Sequence, residues 1–211
     1  MNKKCVVTID IIGSTVFADQ QRAQIQRSIF NVIDQLKAKF VNDLFTVGMT
    51  AGDEFQLVIN SPEKAIDILK FLKDNLPARF RSGVGFGHIE AVARELLPSE
   101  MYGSAFYLSR NAINIAKKKQ ADVIFSTGDE NLDLKVNTIM ELILFIQRKW
   151  TKRQQEVLKF IDTHEQIMQK DVAAHFGISE QAISKITKSS GFESVRKAEQ
   201  LVKSMLAASK E

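Results

Sequence analysis

The segment Gln169-Lys170-Asp171-Val172-Ala173-Ala174-His175-Phe176-Gly177-Ile178-Ser179-Glu180-Gln181-Ala182-Ile183-Ser184-Lys185-Ile186 restricts the possible fold more than any other stretch of this chain. Its apolar residues recur at helical spacing on both sides of one glycine. Gly177 permits the tight turn between two helices that a side chain would resist. Ser179 offers its hydroxyl to the first free N–H groups of the helix that follows. Ala173 is small where two helices cross closely, and Val172, Phe176, Ile178, Ile183 and Ile186 supply a shared core. Upstream, Thr151 is placed to cap a helix over 152–163 whose inner face holds Val157, Leu158 and Ile161. The second helix of the pair is expected over about 179–190.

This pattern resembles the helix-turn-helix family, in which the second helix enters the major groove of DNA with its N-terminal side chains foremost. The resemblance implies DNA contacts from Lys170, Ser179, Glu180, Gln181, Ser184, Lys185 and Lys188, with Lys152 and Arg153 as further phosphate contacts. A glutamine can pair with adenine, and a lysine with phosphate or guanine. Residues 193–208 form another amphipathic helix (Val195, Ala198, Leu201, Val202, Met205, Leu206). That stripe either packs on the neighbouring helices or pairs with a second subunit. A homodimer would match the two-fold symmetry of an operator in double-stranded DNA.

The other half of the chain reads differently. Residues 3–12 are β-rich and end at Gly13; 16–41 are helical; 44–49 and 55–59 are strands joined by Thr50-Ala51-Gly52-Asp53-Glu54. Ser61-Pro62-Glu63 starts a helix, with Ser61 as N-cap and Pro62 at the first helical position. A strand over 79–90 carries Gly83, Gly85 and Gly87, which suggest bends or close backbone approach. A helix over 104–119 and a strand over 121–126 follow. The order β-α-β-β-α-β, then α-β, gives an α+β fold with a ferredoxin-like N-terminal domain. The expected organisation is this domain over 1–133, a linker helix over 134–149, and the helix-turn-helix domain over 150–211. In that topology the end of the first strand meets the tip of the hairpin, so Asp10 and Asp53 should lie side by side.

Two motifs therefore converge, Asp10-Ile11-Ile12-Gly13-Ser14-Thr15 and Gly52-Asp53-Glu54-Phe55. The first sets an acid before a glycine-containing loop and a helix N-terminus, where backbone N–H groups can hold phosphate. The second adds another acid, and two carboxylates beside such a loop suit Mg2+ and a nucleoside triphosphate. The candidate metal residues are Asp10, Ile11 and Asp53, with Mg2+ or Mn2+ as the ion. The candidate nucleotide-binding residues are Gly13, Ser14, Thr15, Gly52 and Glu54.

These motifs, with Phe80-Arg81-Ser82-Gly83-Val84-Gly85-Phe86-Gly87 and Tyr102-Gly103-Ser104-Ala105-Phe106, resemble the class III nucleotidyl cyclases over residues 5–116. The family's transition-state Asn and Arg positions fall on Tyr107 and Asn111, and Arg110 is displaced by one residue. Its adenine-selecting lysine falls near Met49. The resemblance thus implies retained metal acids without the catalytic partners. Asp53-Glu54-Phe55 is also similar to diguanylate cyclases, but Ala51 stands where their signature has a glycine. Over the whole chain, the Gly52-Asp53-Glu54-Phe55-Gln56 string and the Trp150-Thr151-Lys152-Arg153-Gln154 opening resemble the SatD family. These are bacterial proteins with a cyclase-like domain joined to a C-terminal helix-turn-helix.

Composition narrows the setting. One cysteine, Cys5, rules out an internal disulfide framework and points to a reducing, cytoplasmic compartment. The apolar stretch after Met1-Asn2-Lys3-Lys4 is broken by Asp10, and no run is long enough to span a membrane. A net charge of +4 is compatible with a nucleic-acid partner without requiring one. Three functions stay open: a transcription regulator whose N-terminal domain senses a nucleotide or metal–nucleotide without turnover; a nucleotidyl cyclase or nucleotidyltransferase attached to a DNA-binding domain; and a DNA-binding dimer with a structural N-terminal half.

Overall fold

The computed structural model describes residues 3–13, 19–51, 54–90, 96–164 and 166–209, with the side chains of 19–23 and 51 left aside. It is an α+β structure that divides into two compact units, Met1–Asn137 with Lys203–Glu211, and Thr138–Val202. The first unit holds β1 (Lys4–Ile11), α1 (Asp19–Lys39), β2 (Leu44–Ala51), β3 (Glu54–Ile59), α2 (Ala65–Asn75), β4 (Phe80–Gly87), α3 (Ser104–Lys119) and β5 (Val123–Ser126). α4 (Glu130–Gln147) leads into the second unit, which holds α5 (Lys152–Thr163), α6 (Gln169–Phe176) and α7 (Glu180–Ser189). α8 (Phe192–Ala208) starts in the second unit and ends in the first.

The sheet order is β2-β3-β1-β4-β5. β1 lies antiparallel to both β3 and β4, while β4 and β5 are parallel. The first six elements thus take the split βαβ arrangement, with β1 in the centre as expected. A central strand is covered on both faces, which accounts for the run Cys5-Val6-Val7-Thr8-Ile9 being buried throughout. Cys5, Val7, Ile9 and Ile11 alternate onto one face and Val6, Thr8 and Asp10 onto the other. The first face is matched by the buried stripes of α1 (Ile29, Val32, Ile33, Leu36) and α2 (Ile66, Ile68, Leu72). Phe40 and Phe71 join those two helices edge to face, 5.9 Å between centroids.

The second face receives α3, and the glycines of β4 determine how closely. A Cβ on Gly85 would fall 2.2 Å from the Ser109 nitrogen, and one on Gly83 2.3 Å from the Ile113 nitrogen. One on Gly87 would fall 2.7 Å from the Ala105 nitrogen. Two strand residues advance about 6.7 Å and four helix residues about 6 Å, so every second residue of β4 meets successive turns of α3. Close approach, rather than a bend, explains this glycine pattern. The buried polar groups beneath are connected in one direction. Ser109 Oγ donates to the Gly83 carbonyl at 2.9 Å, so Thr8 donates to Ser109 at 2.7 Å and Gln56 Nε2 to Thr8 at 3.0 Å.

Some boundaries differ from expectation. Pro62 opens a 3₁₀ turn, Pro62–Lys64, ahead of α2, and Ser61 makes no side-chain cap bond there. α4 starts at Glu130, earlier than 134, because Asp129 Oδ1 accepts from the amides of Asn131 and Leu132 and caps that end.

In the second unit, Val157, Ala173, Val172 and Ile183 form the buried centre of α5, α6 and α7. Thr151 and Gln154 make a reciprocal capping box at the start of α5. Trp150 is held within this unit, its Nε1 donating to the Ser190 carbonyl at 2.7 Å and its ring against Phe192. No described helix is long and apolar enough to cross a membrane.

Candidate functional site

β1 and β3 place Asp10 directly opposite Glu54, with Arg81 opposite Asp10 on β4. All three lie in the row beyond Thr8 and Gln56, on the face that α3 covers. Ile11 ends β1 and is buried, and Gly13 follows with φ +79°. Ser14, Thr15, Gly52 and Asp53 lie outside the described residues. The structure therefore brings Asp10 and Glu54 together, and the expected neighbourhood of Asp10 and Asp53 is not described.

Two basic residues complete this strand end. Arg110 donates through both terminal nitrogens to the two Glu54 oxygens, at 2.6 Å each. Thr50 Oγ1 adds a bond to Glu54 Oε1 at 2.9 Å. Lys117 Nζ lies 2.6 Å from Asp10 Oδ1. The Glu54 carboxylate is only 9% exposed, so its charge needs this compensation. The hydrogen bond to Glu54 is the largest cause raising the Arg110 pKa, opposed by burial and reinforced by the charges of Glu54 and Asp10. Arginine is already charged at any working pH, so the shift marks the closeness of the acids rather than a titration.

Sequence reasoning passed over this pairing. Lys117 reads as a cation suited to a helix C-terminus and Arg110 as a displaced catalytic arginine. Their seven-residue spacing places both on one side of α3. Once Ala105, Ser109 and Ile113 are set against β4 by its glycines, that side faces β1 and β3. Tyr107, at the expected Asn position, is 76% exposed.

A divalent cation needs oxygen ligands with free lone pairs. Here Asp10 Oδ1 faces the Lys117 ammonium and both Glu54 oxygens face the Arg110 guanidinium, so a metal ion would have to compete with positive charge already in place. No cluster of three or more acid, histidine or cysteine side chains occurs among the described residues. The described residues, so arranged, offer Mg2+ or Mn2+ no vacant ligand set; Asp53, the other acid that the cyclase resemblance implies, lies outside them. Beside the same strand end lies a cleft of about 370 Å³, lined by Ile12, Ile25, Ser28, Pro77 and Arg79 among others.

The second unit carries a separate candidate surface. Gly177 ends α6 with φ +63°, a conformation that costs side-chain-bearing residues energy. Ser179 Oγ accepts from the Ala182 nitrogen at 3.2 Å and caps α7. Ile183 is fully buried, while Glu180, Gln181, Lys185 and Lys188 are exposed and Ser184 is half-buried. Gln181, Ser184, Lys185 and Lys188 share the face opposite Ile183. Lys152 and Lys170 are exposed. Arg153 is engaged locally: its Nη2 donates to the Phe176 carbonyl at 3.1 Å and its guanidinium lies over the Phe176 ring. It thus serves the end of α6. His175 stacks on the Phe160 ring at 4.0 Å between centroids and His164 lies tilted against it at 4.2 Å, a packing role for both.

The family described as SatD matches residues 5–206. No curated protein sequence matches the chain. Among solved structures, the chain is similar to the active GGEEF domain of a diguanylate cyclase from Vibrio cholerae. That pair shares 16% identity with a TM-score of 0.39, over 56% of this chain and 78% of the other. A microbial GGDEF domain solved for its interaction with cyclic di-GMP gives 11% identity and a TM-score of 0.42, over 60% and 77%. The adenylyl cyclase CyaB from P. aeruginosa gives 15% and 0.36, over 52% and 70%.

Proposed function

The chain belongs to the SatD family, and from that premise we propose that it is a DNA-binding transcriptional regulator. In this reading α6 and α7 form a helix-turn-helix, and α7 lies in the major groove of double-stranded DNA. One observation carries it: α7 buries Ile183 and leaves Gln181, Lys185 and Lys188 exposed on the opposite face. A helix anchored by one face and polar on the other can enter a groove without unpacking its own core. Gln181 offers a donor and an acceptor to an adenine edge, and the lysines meet phosphate or guanine. Ser179, at the α7 N-terminus, faces the backbone of the duplex, where helix N–H groups favour phosphate. A homodimer would present two such helices to a two-fold site.

The first unit, in this reading, is a cyclase-like domain without turnover. Tyr107 and Asn111 stand where the resemblance places Asn and Arg, and Arg110 is committed to Glu54. The cleft beside Ile12 has room for a base-sized ligand, which keeps a nucleotide sensor as part of the proposal. Titration calorimetry with ATP and GTP, followed by chromatography, tests that part. Binding without product supports a sensor, and a new product makes the chain an enzyme.

Selection from randomised duplexes with the full chain tests the DNA reading. An enriched sequence is expected, and Gln181→Ala should weaken binding to it by about 1–3 kcal/mol. Failure to enrich any sequence, or enrichment indifferent to Gln181→Ala and Lys185→Ala alike, would remove α7 as the reading helix.

A further inference from the structure

Asp10 and Glu54 set two carboxylates next to each other at a partly covered sheet end. Adjacent carboxylates repel, so one must take a proton or both must gain a cation. The chain supplies two cations itself, Lys117 to Asp10 and Arg110 to Glu54. We propose that Lys117 and Arg110 stand in for divalent metal at this strand end. The site holds its acids without metal, and Lys117 is the residue that keeps Asp10 from recruiting one.

Three observations carry this. First, α3 cannot retreat as a body, since its backbone lies on Gly83, Gly85 and Gly87 of β4. The ammonium of Lys117 is therefore tethered beside Asp10 at an effective concentration of roughly millimolar or more. A dissolved ion has to compete with that. Second, both Glu54 oxygens are engaged by the Arg110 fork and Oε1 also by Thr50. Glu54, its own side chain 9% exposed, can become a ligand only by giving up the Arg110 pair. Third, a metal at Asp10 would sit close to the Lys117 ammonium, with Arg81 opposite Asp10 across the strand pair. The like charges oppose it. The acids alone would attract a divalent ion, and the basic side chains reverse that preference.

The consequence is a gain of function by removal. Truncating Lys117 leaves Asp10, whose side chain is 16% exposed, without its partner and opens the space the ammonium filled. The test is titration of the full chain with Mn2+ alone, read by loss of the free-ion electron paramagnetic resonance signal. The wild-type chain should show no saturable binding at millimolar metal. Lys117→Ala should acquire one site, at least about tenfold tighter than any wild-type uptake, which is about 1.4 kcal/mol. Lys117→Ala/Asp10→Asn should lose it again. Lys117→Gln keeps a polar side chain there without the charge, and a circular-dichroism melt on each variant establishes folding. Saturable Mn2+ binding by the wild-type chain that Asp10→Asn abolishes overturns the proposal. So does a folded Lys117→Ala or Lys117→Gln that stays as indifferent to Mn2+ as the wild type.

Discussion

At Gly85 the space for a methyl group is missing. Its Cβ would fall 2.2 Å from the Ser109 nitrogen and 2.3 Å from the Ala105 carbonyl oxygen, both backbone atoms of α3 that cannot rotate away. Gly85→Ala should therefore destabilise by about 3 kcal/mol or more, read as a lower urea midpoint at unchanged slope. A loss below about 0.5 kcal/mol would mean that α3 does not rest on β4 this closely. Cys5 illustrates the opposite situation, a side chain fully enclosed. Burial, with a smaller effect from Glu63, pushes its thiol well above the usual range. It should resist alkylation in the native state and react only on unfolding, so labelling at neutral pH without denaturant would contradict its position. Glu54 depends on its partner: Arg110→Ala leaves a buried carboxylate with Thr50 as its remaining side-chain donor among the described residues. A stability loss on the order of 2 kcal/mol is expected in a thermal or urea melt, with Arg110→Lys restoring only part of it because the fork is lost.

At the scale of elements, α7 is set by its ends as much as by its core. Ser179→Ala removes the bond to the Ala182 nitrogen and should cost about 1 kcal/mol. Gly177→Ala meets no neighbouring atom, so its cost of about 1–2 kcal/mol arises from φ +63° alone. Both turn signals were legible in the sequence because each acts locally, through one residue and its own backbone. The same holds for the Thr151 cap and for the span of α3, which matches the expected 104–119. The glycines of β4 were legible only as an alternative between bend and close approach. Choosing between them requires knowing what lies across the sheet. The Arg110–Glu54 and Lys117–Asp10 pairs were not legible, since they join residues from different elements and depend on how α3 is rotated. Arg153 shows the same limit: its sequence neighbourhood suits phosphate, while its actual partner is the Phe176 carbonyl, 23 residues on.

At the scale of the whole molecule, two compact units are linked by helices that run from one into the other, α4 and α8. One unit carries a sheet whose acidic end is neutralised from within. The other carries a short helix with an exposed polar face. We assign recognition to the second, and the direct test is how its affinity for duplex DNA depends on salt. Each phosphate neutralised by a lysine adds about 0.9 to the slope of log affinity against log salt. The full chain should bind a duplex with a steep slope. A variant with Lys170, Lys185 and Lys188 all changed to Gln should bind more weakly, with a slope lower by about 1–3. An equal slope and affinity in the folded variant, or no binding by the parent chain at low salt, would contradict the assignment.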